Sequence, residues 1–264
     1  MVTVGTMAST AVADAAHASG RSLGAPRILM IKANDLSELP ADTATWEILA
    51  CGITARIGWS IPPIPGKPAA GPCAAGEDRI ITSYVSFRQA VSNRSVVPGD
   101  TVVYDSEKWI YTPASERSNR TKYEALAGRL ARSAHISIVF TPQGSPGPLL
   151  DAQLRTVAKY ATLIELQTQN AQGDPAKFKD QVAHDLSIIK RAGRHIPVLV
   201  GFASDPNGTP AHVSTMVRSY QLVANEVQGI QLNLAQWRAP AGVGCAPHGC
   251  PQVGSSFLHA IGVT

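Results

Sequence analysis

From Asp100 to Leu234 the chain repeats one pattern: a short run of apolar, β-branched residues, a loop, then a helix-length amphipathic segment. The runs are TVVYDSE (101–107), HISIVFTP (135–142), TLIELQTQ (162–169), IPVLVGFAS (196–204) and GIQLNL (229–234). Between them, apolar stripes at helical spacing fall on Tyr123, Leu126, Ala127, Leu130 and Ala134, on Leu150, Leu154, Val157 and Ala161, on Phe178, Val182, Leu186 and Ile189, and on Val213, Met216, Val217 and Tyr220. Asp174-Pro175 supplies an N-cap and a first-turn proline, while Lys190, Arg191 and Gly193 supply a helix end. Strands that alternate with helices must pair in parallel through right-handed crossovers. RILMIKA (27–33) adds a sixth strand, and one or two more are expected before residue 80.

These elements predict an α/β fold, a TIM-like (β/α) barrel of parallel strands, with 25–264 as its single domain. No glycine-rich phosphate loop follows any strand, which disfavours a nucleotide-binding open sheet and leaves no cofactor to expect. Residues 61–76 carry five prolines and read as an irregular excursion. The segment 46–54 is either helix or strand, 83–92 a short helix, and 256–261 the last one.

Residues 1–24 are rich in Ala, Ser, Thr and Val, and their first basic residue is Arg21. They read as the remnant of an export signal or as a disordered N-terminus, and they suggest a secreted or extracytoplasmic protein. An even cysteine count fits that compartment, with the sequence-local pairs Cys51–Cys73 and Cys245–Cys250 the favoured disulfides. Cys245, His248 and Cys250 match no standard zinc spacing, so no metal is expected. No apolar run is long enough to span a membrane. The formal charge is +4, and the densest basic stretch (Arg117, Arg120, Lys122, Arg129, Arg132) is interleaved with Glu116 and Glu124. It reads as a solvated helix face, with no nucleic-acid partner expected.

Barrels of this class react at the C-terminal ends of their strands. Side chains alternate along a strand, so Val103, Asp105 and Glu107 share a face, as do Glu165, Gln167 and Gln169, and Gln231 and Asn233. Their alternates are apolar and suit packing against helices. The polar residues gather where solvent and ligand would be. Two carboxyl groups that flank a bond are the requirement of glycoside hydrolysis. On this reading Glu107 is the general acid, Asp105 its modulator and Glu165 the nucleophile or base. Gln167, Gln169, Gln231 and Asn233 hold sugar hydroxyls, and Trp109 and Trp237 stack on rings. The expected activity is a glycosidase-type hydrolase acting on a polysaccharide or cell-wall glycan, and the alternative is a non-catalytic glycan-binding or envelope-associated barrel. A Ser–His–Asp hydrolase is disfavoured, because no Gly-x-Ser-x-Gly elbow is present and His135 and His195 stand at strand starts.

The stretches YDSEKWIYTPASER, IELQTQNAQGDPAKF, PVLVGFASDPNGTP and GIQLNLAQ resemble a family of uncharacterised exported actinobacterial proteins. That resemblance spans roughly residues 95–250 and implies the same barrel-like fold. Asp105 and Glu107 also resemble the Asp-x-Glu strand end of chitinase-type and muramidase-type barrels, without the longer acidic run that precedes it in chitinases.

Overall fold

A computed structural model describes residues 26, 28–31, 54–57, 79–107, 110–144, 146–192, 195–206, 209–234 and 250–263. Among these residues eight strands lie in one sheet: β1 (Ile28–Ile31), β2 (Thr54–Ile57), β3 (Arg79–Ile81), β4 (Thr101–Tyr104), β5 (Ser137–Phe140), β6 (Leu163–Leu166), β7 (Val198–Ala203) and β8 (Gly229–Asn233). Their order is β2-β1-β8-β7-β6-β5-β4-β3, with every recorded pair parallel. This is the cyclic order of a TIM-like barrel, with first strand beside last. Among the described residues the helices are α1 (Tyr84–Ser92), α2 (Ala114–Arg117), α3 (Arg120–Ser133), α4 (Pro148–Val157), α5 (Pro175–Arg191), α6 (Val213–Gln221) and α7 (Pro251–Ala260).

The period-two alternation sorts the side chains into two layers. Val102, Tyr104, Ile138, Phe140, Ile164, Leu166, Val200, Phe202, Ile230 and Leu232 join the core beneath the helices. Phe202 lies between Phe178 of α5 and Phe257 of α7, with ring centroids 5.0 and 4.8 Å apart. Met30, Val103, Val139, Leu163 and Leu199 form a separate apolar plug inside the barrel. The sheet is therefore buried on both faces, as a parallel sheet must be.

Two elements differ from the sequence expectation. β3 is only three residues long and follows the proline-rich stretch, too short for alternation to reveal. The last helix starts at Pro251, its first-turn proline, five residues before the apolar stripe suggests. The proline-rich excursion near 60–76, Cys51, Cys73, Cys245 and the N-terminal segment 1–24 lie outside the described residues. Cys250 is disulfide-bonded, but neither expected pairing finds support among the described residues. Among the described residues no helix is long and apolar enough to cross a membrane.

One buried acid sets a pH dependence. Asp185 on α5 is 1% exposed, and burial pushes its carboxyl up to about 7. The negative Asp151 on α4 adds to that rise, and His184, 3.1 Å from Asp151, works against it. Unfolded, the same group titrates near 4. The folded state thus holds the extra proton between those values, so the contribution of Asp185 to stability falls as pH rises from about 4 to about 7 and then levels. Asp185→Asn keeps the shape without the charge. It should match the parent at pH 4 and exceed it at pH 8 by up to about 4 kcal/mol, read as the thermal midpoint across that range.

Candidate functional site

At the C-terminal end of the sheet the inward positions turn from apolar to polar. Above Val103 stand Asp105 and Glu107, above Leu163 stand Glu165 and Gln167, and on β8 stand Gln231 and Asn233. The carboxylates are held by side chains from other strands. The Thr141 hydroxyl donates to Asp105 Oδ1 at 2.8 Å, and Gln167 Nε2 donates to Glu107 Oε1 at 2.8 Å. Gln169 Nε2 reaches Gln231 Oε1 at 3.3 Å, which links the loop after β6 to β8. Six of the expected residues therefore converge on one mouth. Asn233 lies on the same strand face as Gln231, and its Oδ1 is buried without a hydrogen-bond partner. Trp109 and Trp237 lie outside the described residues.

Gly201 explains how this mouth fits together. A Cβ built there would meet Gln169 Nε2 and Glu165 Oε1 at 2.6 Å each, so both polar groups lie directly on the β7 backbone. A mid-strand glycine often marks such a close approach. The consequence for Glu165 is burial: it is 2% exposed, whereas Glu107 and Asp105 are half-buried.

Behind the mouth, at the start of α3, sits a buried charged pair. Arg120 is 3% exposed and donates from Nη1 to the Gln143 carbonyl at 2.6 Å, the same oxygen that Gln153 Nε2 reaches at 3.2 Å. Burial lowers the pKa of Arg120, and the negative Glu124 and Glu107 act against that. Burial pushes Glu124 up to about 8, a rise that Arg120 opposes. The positive charge nearest the mouth among the described residues is thus spent inside the protein, on a carbonyl and two carboxylates.

Beyond β7, Gln172 binds the backbone of Ala203 twice, accepting from its N–H at 2.8 Å and donating to its carbonyl at 2.6 Å. The Thr168 hydroxyl donates to the Gly201 carbonyl at 2.9 Å. These bonds dock the β6 loop onto β7 and hold Gln167 and Gln169 in place. Thr141, Gly201 and Arg120 are the members that reasoning from sequence missed. The first two were accessible to it: Thr141 shares a strand face with Val139, and Gly201 with Leu199. Arg120 gave no signal, because its burial depends on how α3 meets the loop after β5.

No protein-family model matches the chain, and a comparison with curated proteins gives no match. Among solved structures it matches hydroxymethylglutaryl-CoA lyase from Pseudomonas aeruginosa at 12% identity, with 91% of this chain and 87% of that one covered and a TM-score of 0.47. The HMG-CoA lyase from Brucella melitensis matches at 11% identity, covering 83% and 86%, with a TM-score of 0.48. At such identities the likeness is one of general architecture.

These findings correct the expected activity and family. The matched structures are named for lyase chemistry, not glycoside hydrolysis, and the resemblance to exported actinobacterial proteins and to chitinase-type or muramidase-type barrels finds no family match. The geometry gives a physical reason as well. Glu165, the expected nucleophile or base, is 2% exposed and lies with Gln169 against the β7 backbone, while Asp105 accepts from Thr141 and Glu107 from Gln167. A glycosidase needs two carboxyls free to flank one bond. Neither the hydrolase reading nor its carbohydrate ligand is retained.

Proposed function

We infer that the mouth is an acid–base site for a small, uncharged or cationic molecule rich in hydrogen-bonding groups, with Glu107 as the group that exchanges a proton. One observation carries this reading: Glu107 is half-buried, with Oε1 fixed by Gln167 from two strands away. A carboxylate held through one oxygen presents the other in a set direction, and a positioned acid or base is what proton transfer requires. Gln167 orients Glu107, and Gln169 and Gln231 orient each other. Each amide carries a donor and an acceptor for a ligand's own polar groups.

Charge narrows the ligand. The mouth holds Asp105, Glu107 and Glu165, while the side chain of Arg120 is turned to the Gln143 carbonyl. An anionic substrate would meet repulsion without a facing cation among the described residues. The chemistry that fits is removal or return of a proton beside a carbonyl or hydroxyl group of a small neutral compound.

The test is solvent deuterium exchange. Neutral hydroxy-ketones, hydroxy-aldehydes and amino alcohols are incubated with the protein in heavy water, and C–H signals are followed by proton NMR. Catalysed exchange is expected for a member of this set. Glu107→Gln should slow it by about 100-fold or more, with the thermal midpoint within a few degrees of the parent. Exchange at the parental rate in Glu107→Gln, or tighter binding of phosphates and carboxylates than of neutral compounds, overturns the reading.

A further inference from the structure

We propose that the face of the barrel opposite the mouth binds a flat anionic lipid surface peripherally. The observation that points there is a separation of charge visible only in the folded chain. The acids that interrupt the basic stretch, Glu116 and Glu124, are each 1% exposed. Their carboxylates cap a helix and face a buried guanidinium. Of the cations in that stretch, Arg120 is buried and Arg117 half-buried, while Lys122, Arg129 and Arg132 remain exposed.

The topology then gathers Arg129 and Arg132 with others. Each helix runs back against its strand, so helix C-termini all reach the N-terminal end of the barrel. Arg94 lies just after α1, Arg129 one turn before the end of α3 and Arg132 in its last turn, Lys159 just after α4, and Lys190 and Arg191 at the end of α5, and all six are exposed. The segments that carry them are joined: Gly99 N donates to the His135 carbonyl at 2.9 Å, and Arg132 Nη2 donates to the Lys159 carbonyl at 2.9 Å. Across 93–100, 129–137, 155–162 and 187–192 the one acid is Asp100, half-buried and bound to the Val97 N–H at 2.8 Å.

Basic residues at helix ends are favourable for the helix dipole alone. The dipole rewards each cation singly, however, and asks for no common plane. Four consecutive units of a barrel end in one rim across its axis. A planar set of cations matches a membrane surface better than the groove of a duplex, which asks for a curved or ridged surface. Binding by this face leaves the mouth pointing away from the lipid.

The test uses the full chain and sedimentation with vesicles of phosphatidylcholine alone or mixed with phosphatidylglycerol at 3:1. Binding to the anionic vesicles at 0.1 M salt, lost at 0.5 M and absent with phosphatidylcholine alone, is the expected result. The triple variant Arg94→Asn, Arg129→Gln, Lys190→Gln should bind about 100-fold more weakly, at roughly fivefold per cation, with an unchanged thermal midpoint. Asn suits position 94, where φ is 59°. Absence of vesicle binding by the parent, equal binding by the variant, or tighter binding of duplex DNA or heparin than of the anionic vesicles overturns the proposal. A variant that loses stability with no loss of vesicle binding assigns these cations to the helix dipole and overturns it too.

Discussion

Glu116→Ala should lower stability by about 3–5 kcal/mol, among the largest single-residue effects expected in this protein. The carboxylate is the outside half of a helix cap. Ser83 caps α1 locally: its Oγ accepts from the Ser86 N–H at 3.1 Å and its carbonyl from the Phe87 N–H at 3.0 Å. That leaves the Tyr84 and Val85 N–H groups, which donate to Glu116 Oε2 at 2.7 Å and Oε1 at 3.1 Å. The Tyr104 hydroxyl also donates to Oε2, at 3.4 Å, and its pKa is raised by burial first and by Glu116 next. Alanine would leave two part-buried amides and a buried phenol without their acceptor, besides removing a negative charge from the positive end of a helix dipole. Glu116→Gln keeps the shape and one acceptor, so it should cost about half as much. Urea unfolding of the three proteins checks this. A loss under about 1 kcal/mol for alanine would show that the contact across 31–32 residues is not holding α1 to α2.

Gly229→Ala should be at least as damaging, for a different reason. Gly229 opens β8 and is in register with Ile28 of β1 and Leu199 of β7. A Cβ built there falls on the carbonyl oxygen of Ile28, backbone rather than a flexible side-chain end. The clash is not relieved by a rotamer change, and either β1 leaves β8 or the β8 start shifts. Because β1 joins the ring to its last strand, losing that pair removes the Ile28–Ile31 ladder and exposes Met30 of the interior plug. We expect a loss on the order of 4 kcal/mol or more, seen as a large drop in thermal midpoint and as amide exchange in β1 ahead of β5 and β6. An alanine variant that melts within a few degrees of the parent would show that β1 and β8 are spaced more widely than this register implies.

The polar mouth and the apolar plug are two ends of one alternation. Asp105 and Glu107 follow Val103 at period two, and Gln231 and Asn233 follow Gly229 in the same way. Strand geometry obliges such residues to share a face, and parallel pairing obliges all the faces to look the same way. Hence the strand identities from β4 to β8, their neighbourhood in the sheet and the convergence of six polar side chains were legible without coordinates. β3 was not, since three residues give alternation too little room.

What needed the tertiary structure was the depth of each group. Glu107 and Glu165 stand on equivalent strand faces, yet the first is half-buried and the second is sealed against Gly201 by Gln169. Local pattern carries the face a side chain takes, because that depends on the backbone's own period. It does not carry how near the next strand and loop will come. The same gap misled the reading of charge: the stretch around Glu116 and Glu124 reads as a solvated face in sequence, whereas packing buries Glu116 as a helix cap and Glu124 together with Arg120. Sequence by itself determined which way the strands and their polar residues face. Packing alone decided which charges meet solvent, since desolvation depends on neighbours that lie far along the chain.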